Sequence, residues 1–209
     1  MWQRMTGWIV PVGAVLLAGI GSSAAVYAAD TGGRYAIKGF GQMPCSRFSE
    51  AREKREPAYL ILGGWIEGYL TALNQTSAET YDLTSFESTD LLAGLIDRHC
   101  RKNPEHRFAD VVRAMAQRLV EFRLQEYSEI VTVEVEDNKS TIYAETVRRM
   151  QRALTELGHY AGEIDGQYGE PMIVAVREYQ GAIGTEPTGV PDQITLMRLF
   201  RTREPPAKE

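Results

Sequence analysis

The sequence predicts a mainly α-helical protein made of two small helical units, the first of them cross-linked by a disulfide. Three observations predict it. Apolar residues recur in steps of three and four along residues 57–122 and again along 143–200, the period of a helix with one buried face. Of the two cysteines, Cys100 falls in the first of these stretches and Cys45 lies shortly before it. The one clear period of two is short: Val131, Val133 and Val135 alternate with Thr132 and Glu134. These divide the chain into a lead-in over 29–43, a helical bundle over 44–126, a linker or β-hairpin over 127–143, and a three-helix domain over 144–201.

The N-terminus reads as a targeting segment. Arg4 begins a short positive region, Trp8 to Ile20 is nearly all apolar, and Val26-Tyr27-Ala28 ends in small residues. This is the layout of a secretory signal peptide over 1–28, cleaved after Ala28. A retained anchor is the competing reading, because no charge occurs between Trp8 and Ala29, enough chain to span a bilayer. Pro11, several glycines and Ser22-Ser23 weaken such a helix; the membrane is a partner only if the segment is kept. On either reading the rest of the chain is exported to the periplasm or cell envelope. The formal net charge of −5 argues against a nucleic-acid partner, which needs a basic surface. Arg203 to Glu209, with Pro205-Pro206, reads as a disordered tail over 202–209.

Gly and polar residues from Asp30 to Met43 read as flexible chain. Cys45 to Arg55 fits a short helix stopped before Pro57. Tyr59, Leu62, Ile66, Tyr69 and Leu73 then form one helical stripe, with Trp65 beside it and Gly64 and Gly68 offering a bare ridge for a close backbone approach. Thr84 and Glu87 fit a capping box ahead of Leu91, Leu92, Leu95 and Ile96. Asn103-Pro104-Glu105 reads as a cap, first-turn proline and first-turn acid for the next helix, whose stripe is Phe108, Val111, Val112, Met115, Leu119 and Phe122. In an exported chain the two cysteines point to a Cys45–Cys100 disulfide. Zinc is the alternative, but His99 adjoins Cys100 and only His106 and His159 remain, so no metal site is expected.

After Val135, Asp137-Asn138-Lys139 is a turn signal and Thr141-Ile142-Tyr143 a returning strand; an extended acidic linker fits equally. Tyr143, Val147, Met150, Leu154 and Leu157 then share a helical face, ended by Gly158 as C-cap. Asp165-Gly166 turns the chain. Pro171 opens a second helix bearing Met172, Val176, Tyr179 and Ile183. After Thr188-Gly189, Asp192 caps a last helix with Ile194, Leu196, Leu199 and Phe200.

The run Val147-Arg148-Arg149-Met150-Gln151-Arg152-Ala153-Leu154, then Leu157-Gly158, Asp165-Gly166, Gly169, Ala175-Val176, Tyr179-Gln180 and Thr188-Gly189 resembles the peptidoglycan-binding domain family, a small helical module often attached to bacterial cell-wall enzymes. The chain departs from that pattern at Met172, where the family usually has Thr, and at Thr185, where it has an apolar residue. The resemblance implies peptidoglycan as partner and a shallow groove between the first two helices of the domain. Its candidate contacts are Tyr160, Asp165, Gly166, Tyr168 and Arg177, with backbone donors of the 158–169 loop, and Asp165 with Gly166 also fixes the turn.

In the bundle, Phe48, Gly64-Trp65-Ile66-Glu67-Gly68-Tyr69, Thr80-Tyr81-Asp82-Leu83, Ser88-Thr89-Asp90-Leu91-Leu92, Cys100, Asn103-Pro104 and Phe108 look like the HdeA-like family of periplasmic acid-stress chaperones. Those chaperones are single short domains, without the second unit found here. That resemblance implies a module that engages other periplasmic proteins.

No catalytic constellation is apparent and no cofactor is expected. Glu67, among Trp65, Tyr69 and glycines, is the best acid for a glycan hydrolase, but it has no partner carboxylate. The sequence therefore reads as an exported, non-enzymatic envelope protein that binds peptidoglycan through its C-terminal domain. An acid-stress chaperone with a merely structural C-terminal unit, and a hydrolase using Glu67, are the alternatives.

Overall fold

The computed structural model describes residues 29–30 and 32–201. The signal-peptide reading of 1–28 and the tail reading of 202–209 lie outside the described residues. Among the described residues, those from Ile37 onward form one compact unit built around two hydrophobic cores. None of the described helices is long and apolar enough to cross a membrane.

The first core is a bundle of α1 (Cys45–Glu53), α2 (Pro57–Thr76), α3 (Thr89–Cys100) and α4 (Phe108–Leu119). Leu62, Ile66, Leu92, Ile96, Phe108 and Val112 fill it, as the stripe positions predict, together with Phe48 of α1. The disulfide joins Cys45, the first residue of α1, to Cys100, the last of α3. Pro57 opens α2, where a missing N–H costs nothing.

Four local expectations are corrected. Ser88, not Thr84, caps α3: its hydroxyl accepts the Leu91 N–H at 3.2 Å. Thr84 instead turns onto Asp82, to which its N–H and hydroxyl both donate, an Asx-type bond that competes with capping. The chain does not restart as a helix at Asn103; α4 begins at Phe108. The 103–107 turn is diverted to the start of α1, where the His106 carbonyl accepts from Cys45 N–H at 2.8 Å and the Pro104 carbonyl from Ser46 N–H at 2.9 Å. It thereby supplies acceptors for N–H groups that a helix start leaves open. Gly64 and Gly68 meet no backbone: both are exposed, with open space where a Cβ would sit. The lead-in also contains order, because Gly39–Gln42 is a short 3-10 helix. There Gly41 is buried so tightly against the Trp65 ring that a Cβ would stand 2.3 Å from it.

The second core holds β1 (Ile130–Val135), β2 (Asn138–Tyr143), α5 (Ala144–Glu156), α6 (Glu170–Ala182) and α7 (Gln193–Arg201). The hairpin is antiparallel, with Val135 opposite Asn138 and Ile130 opposite Tyr143. Its turn is Glu136-Asp137, so Asn138 and Lys139 lie in the returning strand, earlier than the turn signal implied. An isolated hairpin is marginal in water; this one is held because Val133, Val135 and Ile142 are buried against α5 and α6. Leu157 and Ile194, placed on buried stripes by periodicity, are exposed. Both stand at helix ends, where the apolar face has run past its neighbour.

The two cores touch directly. Thr146 Oγ1 donates to the Ser85 carbonyl at 2.8 Å, and Tyr143 Oη to Asp82 Oδ2 at 2.9 Å. Gln193 makes a pair of bonds to the loop before α3: Nε2 to the Phe86 carbonyl at 2.7 Å, and Oε1 from the Ser88 N–H at 2.9 Å. The Phe86 and Phe200 rings meet at 5.1 Å.

Candidate functional site

The C-terminal unit is organised by two buried glutamines, Gln151 and Gln180, to which the sequence pattern assigns no role. Gln151 on α5 is fully buried. Its Nε2 donates to Asp165 Oδ1 at 2.8 Å, the Gln167 carbonyl at 3.2 Å and Tyr160 Oη at 3.3 Å. Its Oε1 accepts the Gly166 N–H at 2.9 Å. Gln180 on α6 repeats the arrangement at the next turn. Its Nε2 donates to the Val190 carbonyl at 2.9 Å and Thr195 Oγ1 at 3.2 Å, and its Oε1 accepts the Gly189 N–H at 2.9 Å. Each glutamine thus stands in for a missing backbone ladder by satisfying the donor and acceptors of one buried turn.

Both turns need glycine. Gly166 and Gly189 have φ of +81° and +76°, a region that L side chains rarely adopt. A Cβ at Gly166 would stand 2.9 Å from the Ala144 carbonyl oxygen, and one at Gly189 2.9 Å from the Ile173 side chain. The signal for this pairing is in the sequence: Val147-Arg148-x-Met150-Gln151-x-Ala153-Leu154 recurs as Val176-Arg177-x-Tyr179-Gln180-x-Ala182-Ile183. The helix stripe registers only its apolar members, which is why the polar one in the same face went unread.

Tyr160 is buried and donates its hydroxyl to the Glu163 carbonyl at 2.8 Å; burial pushes its phenol pKa up. Asp165 is exposed, yet its Oδ1 accepts from Gln167 N–H at 2.8 Å. That bond, with the Gln151 amide, holds its carboxyl below the usual carboxylate range. Tyr168 is half-buried and donates to the Gly189 carbonyl at 2.9 Å, so it ties the two glycine turns together; burial pushes its pKa up strongly. Arg177 is half-buried and reaches the hairpin turn, pairing with Glu136 at 3.0 Å. The structure therefore brings Tyr160, Asp165 and Gly166 into one bonded cluster around Gln151, with Tyr168 next in the loop and bonded to the Gly189 turn. Arg177 lies on the Gly189 side of it. What the cluster leaves facing solvent is a rigid loop edge, with Ile164 and Gln167 exposed. The two departures from the family pattern are both internal: Met172 is buried in the core, and Thr185 Oγ1 donates to the Gln180 carbonyl at 3.2 Å.

Of the candidate acids, Glu67 is exposed, and its Oε1 accepts the Thr89 hydroxyl at 2.6 Å. A second carboxyl, Glu87, is perturbed: burial raises its pKa above the ordinary 4.5, against the opposing Glu87 and Phe86 N–H groups. A carboxyl whose folded pKa is raised contributes stability below its unfolded pKa, and that stability is lost as pH rises through the folded value. Glu87→Gln is accordingly expected to raise Tm at neutral pH and to leave it unchanged near pH 4. Thermal melts across pH 4–8 check this, and an equal shift at both ends would refute it.

No curated protein and no solved structure matches the chain. Residues 143–199, which begin at the end of β2 and close within α7, match the family model of the peptidoglycan-binding domain. That stretch holds both glutamine-anchored turns, and its likeness to this family supports cell-wall binding by the C-terminal unit.

Proposed function

We propose that this is an exported, non-enzymatic protein of the cell envelope that holds peptidoglycan through its C-terminal unit and presents the disulfide-linked bundle to other periplasmic proteins. The observation that carries the reading is the match over 143–199, together with loops fixed by Gln151 and Gln180. Preformed loops lower the ordering cost of binding, so a shallow site can still hold a polymer. The Cys45–Cys100 bond fits an oxidising compartment outside the cytoplasm. Peptidoglycan offers carboxylates and amides on its stem peptides. The exposed edge of the 158–169 loop and the Arg177 guanidinium are the groups we assign to meet them, with the faces of Tyr160 and Tyr168 beneath.

Co-sedimentation of the mature chain with purified sacculi tests the reading. The chain is expected to pellet with sacculi, to stay in the supernatant with chitin, and to release no soluble muropeptides. Failure to pellet would remove wall binding. Release of muropeptides that stops in Glu67→Gln would replace the non-enzymatic reading with a hydrolase.

A further inference from the structure

A hollow of about 630 Å³ lies where α3 and α4 meet α7. Leu91, Leu95, Met115, Phe122, Met197 and Phe200 line it, and all six are only half-buried, although the cores on either side are closed. Arg98, Lys102 and Arg118 stand at its rim, exposed. Among the described residues these three side chains have no hydrogen bond or ion pair, while Arg47, Arg52, Arg101, Arg107 and Arg113 of the same bundle are all ion-paired. Of the two acids at the hollow, Asp110 is already committed to Arg107 and Arg113. Glu87 sits where burial disfavours its charge. The free charge around this apolar space is positive.

We propose that the hollow binds a soluble single-chain fatty carboxylate, with the chain along Leu91, Leu95 and Met115 and the carboxylate on Arg98 and Lys102. The volume is that of a small-molecule site. It is too small for a partner helix, which is ~10–12 Å across with its side chains. Leu91 to Cys100 covers ~14 Å of helix at ~1.5 Å per residue, and the turn to Lys102 extends it, the scale of a medium acyl chain. Arg98 lies in the last turn of α3 and Lys102 in the turn just past it, four residues apart, so both can reach a single headgroup. Met115 and Met197 are unbranched and adapt to a flexible chain. The inference does not rest on peptidoglycan binding.

Calorimetric titration of the full mature chain with dodecanoate below its micelle concentration tests this, with dodecyltrimethylammonium and dodecyl maltoside as charge controls. One dodecanoate per chain is expected, with decanoate weaker by about fifteenfold, since each lost methylene costs about fourfold. The Arg98→Glu/Lys102→Glu pair is expected to weaken binding at least tenfold. Both residues are exposed, so this variant keeps its fold, to be checked by its circular dichroism and melting. Met115→Trp should fill the hollow and abolish binding. Equal binding of the cationic or neutral detergent, or no effect of the charge-reversed pair, would overturn the proposal. So would capture by phosphatidylglycerol vesicles in preference to monomeric dodecanoate, which would make the patch a membrane surface.

Discussion

Replacing Cys45 and Cys100 together by Ala is expected to lower stability by about 4 kcal/mol, a large share of the about 5–15 kcal/mol that a folded domain has to lose. The bond closes 55 residues of chain, and the loss reflects the freedom that the unfolded chain regains. Both cysteines are fully buried, and α1 and α3 are otherwise held by side-chain pairs such as Arg52 with Asp97 at 3.2 Å. The 103–107 turn, which caps α1 from beside Cys100, is expected to loosen as well. Urea unfolding of the double variant and of the reduced wild type should give the same lowered midpoint. A loss below about 1 kcal/mol would mean that the unfolded chain is already compact around this pair.

Gln151→Ala is expected to cost about 3 kcal/mol and to abolish pelleting with sacculi. The substitution strands the buried Gly166 N–H and leaves the Tyr160, Asp165 and Gln167 acceptors without their donor; an unsatisfied buried polar group costs about 1–3 kcal/mol. Gln151→Glu is the sharper variant. It keeps an acceptor for Gly166 but sets a second carboxylate where the amide met Asp165 at 2.8 Å, so it should be as damaging near neutral pH and partly restored in acid. Gln180→Ala should do the same at the Gly189 turn. Amide spectra and thermal melts distinguish local loosening from global unfolding. Retention of full stability by Gln151→Ala would show that water can replace the amide.

The helices were legible wherever an apolar stripe and its punctuation agreed. Pro57, Gly158, Pro171 and Asp192 each mark a boundary where the structure has one, because caps and first-turn prolines are decided within a few residues. The misread boundaries depend on partners that the local pattern does not show, one of them far along the chain and one two residues away. Asn103-Pro104-Glu105 has the local chemistry of a helix start, but the Pro104 carbonyl is claimed by the Ser46 N–H and that of the following His106 by the Cys45 N–H. Thr84 has the hydroxyl of a cap, but Asp82 takes it. The candidate site was legible as a family pattern and as two glycine turns. What holds those turns was not, since a glutamine within a helical stripe looks like a surface residue until the loop it fastens is known.

The contact between the two cores changes what anchoring would mean. Arg149 on α5 donates to the Phe122 and Arg123 carbonyls at the end of the bundle, while Gln193 on α7 grips the segment that leads into α3. Two helices of the C-terminal unit are thus fastened at one end of the α3–α4 pair, to the chain entering α3 and to the chain leaving α4, and two such points leave no free swivel. Tension on the wall would pass straight into the bundle, and the mouth of the hollow beside α7 would keep one bearing relative to the glycan strand. The molecule would act as a bracket, setting direction as well as location, where a chain with a slack joint would act only as a leash.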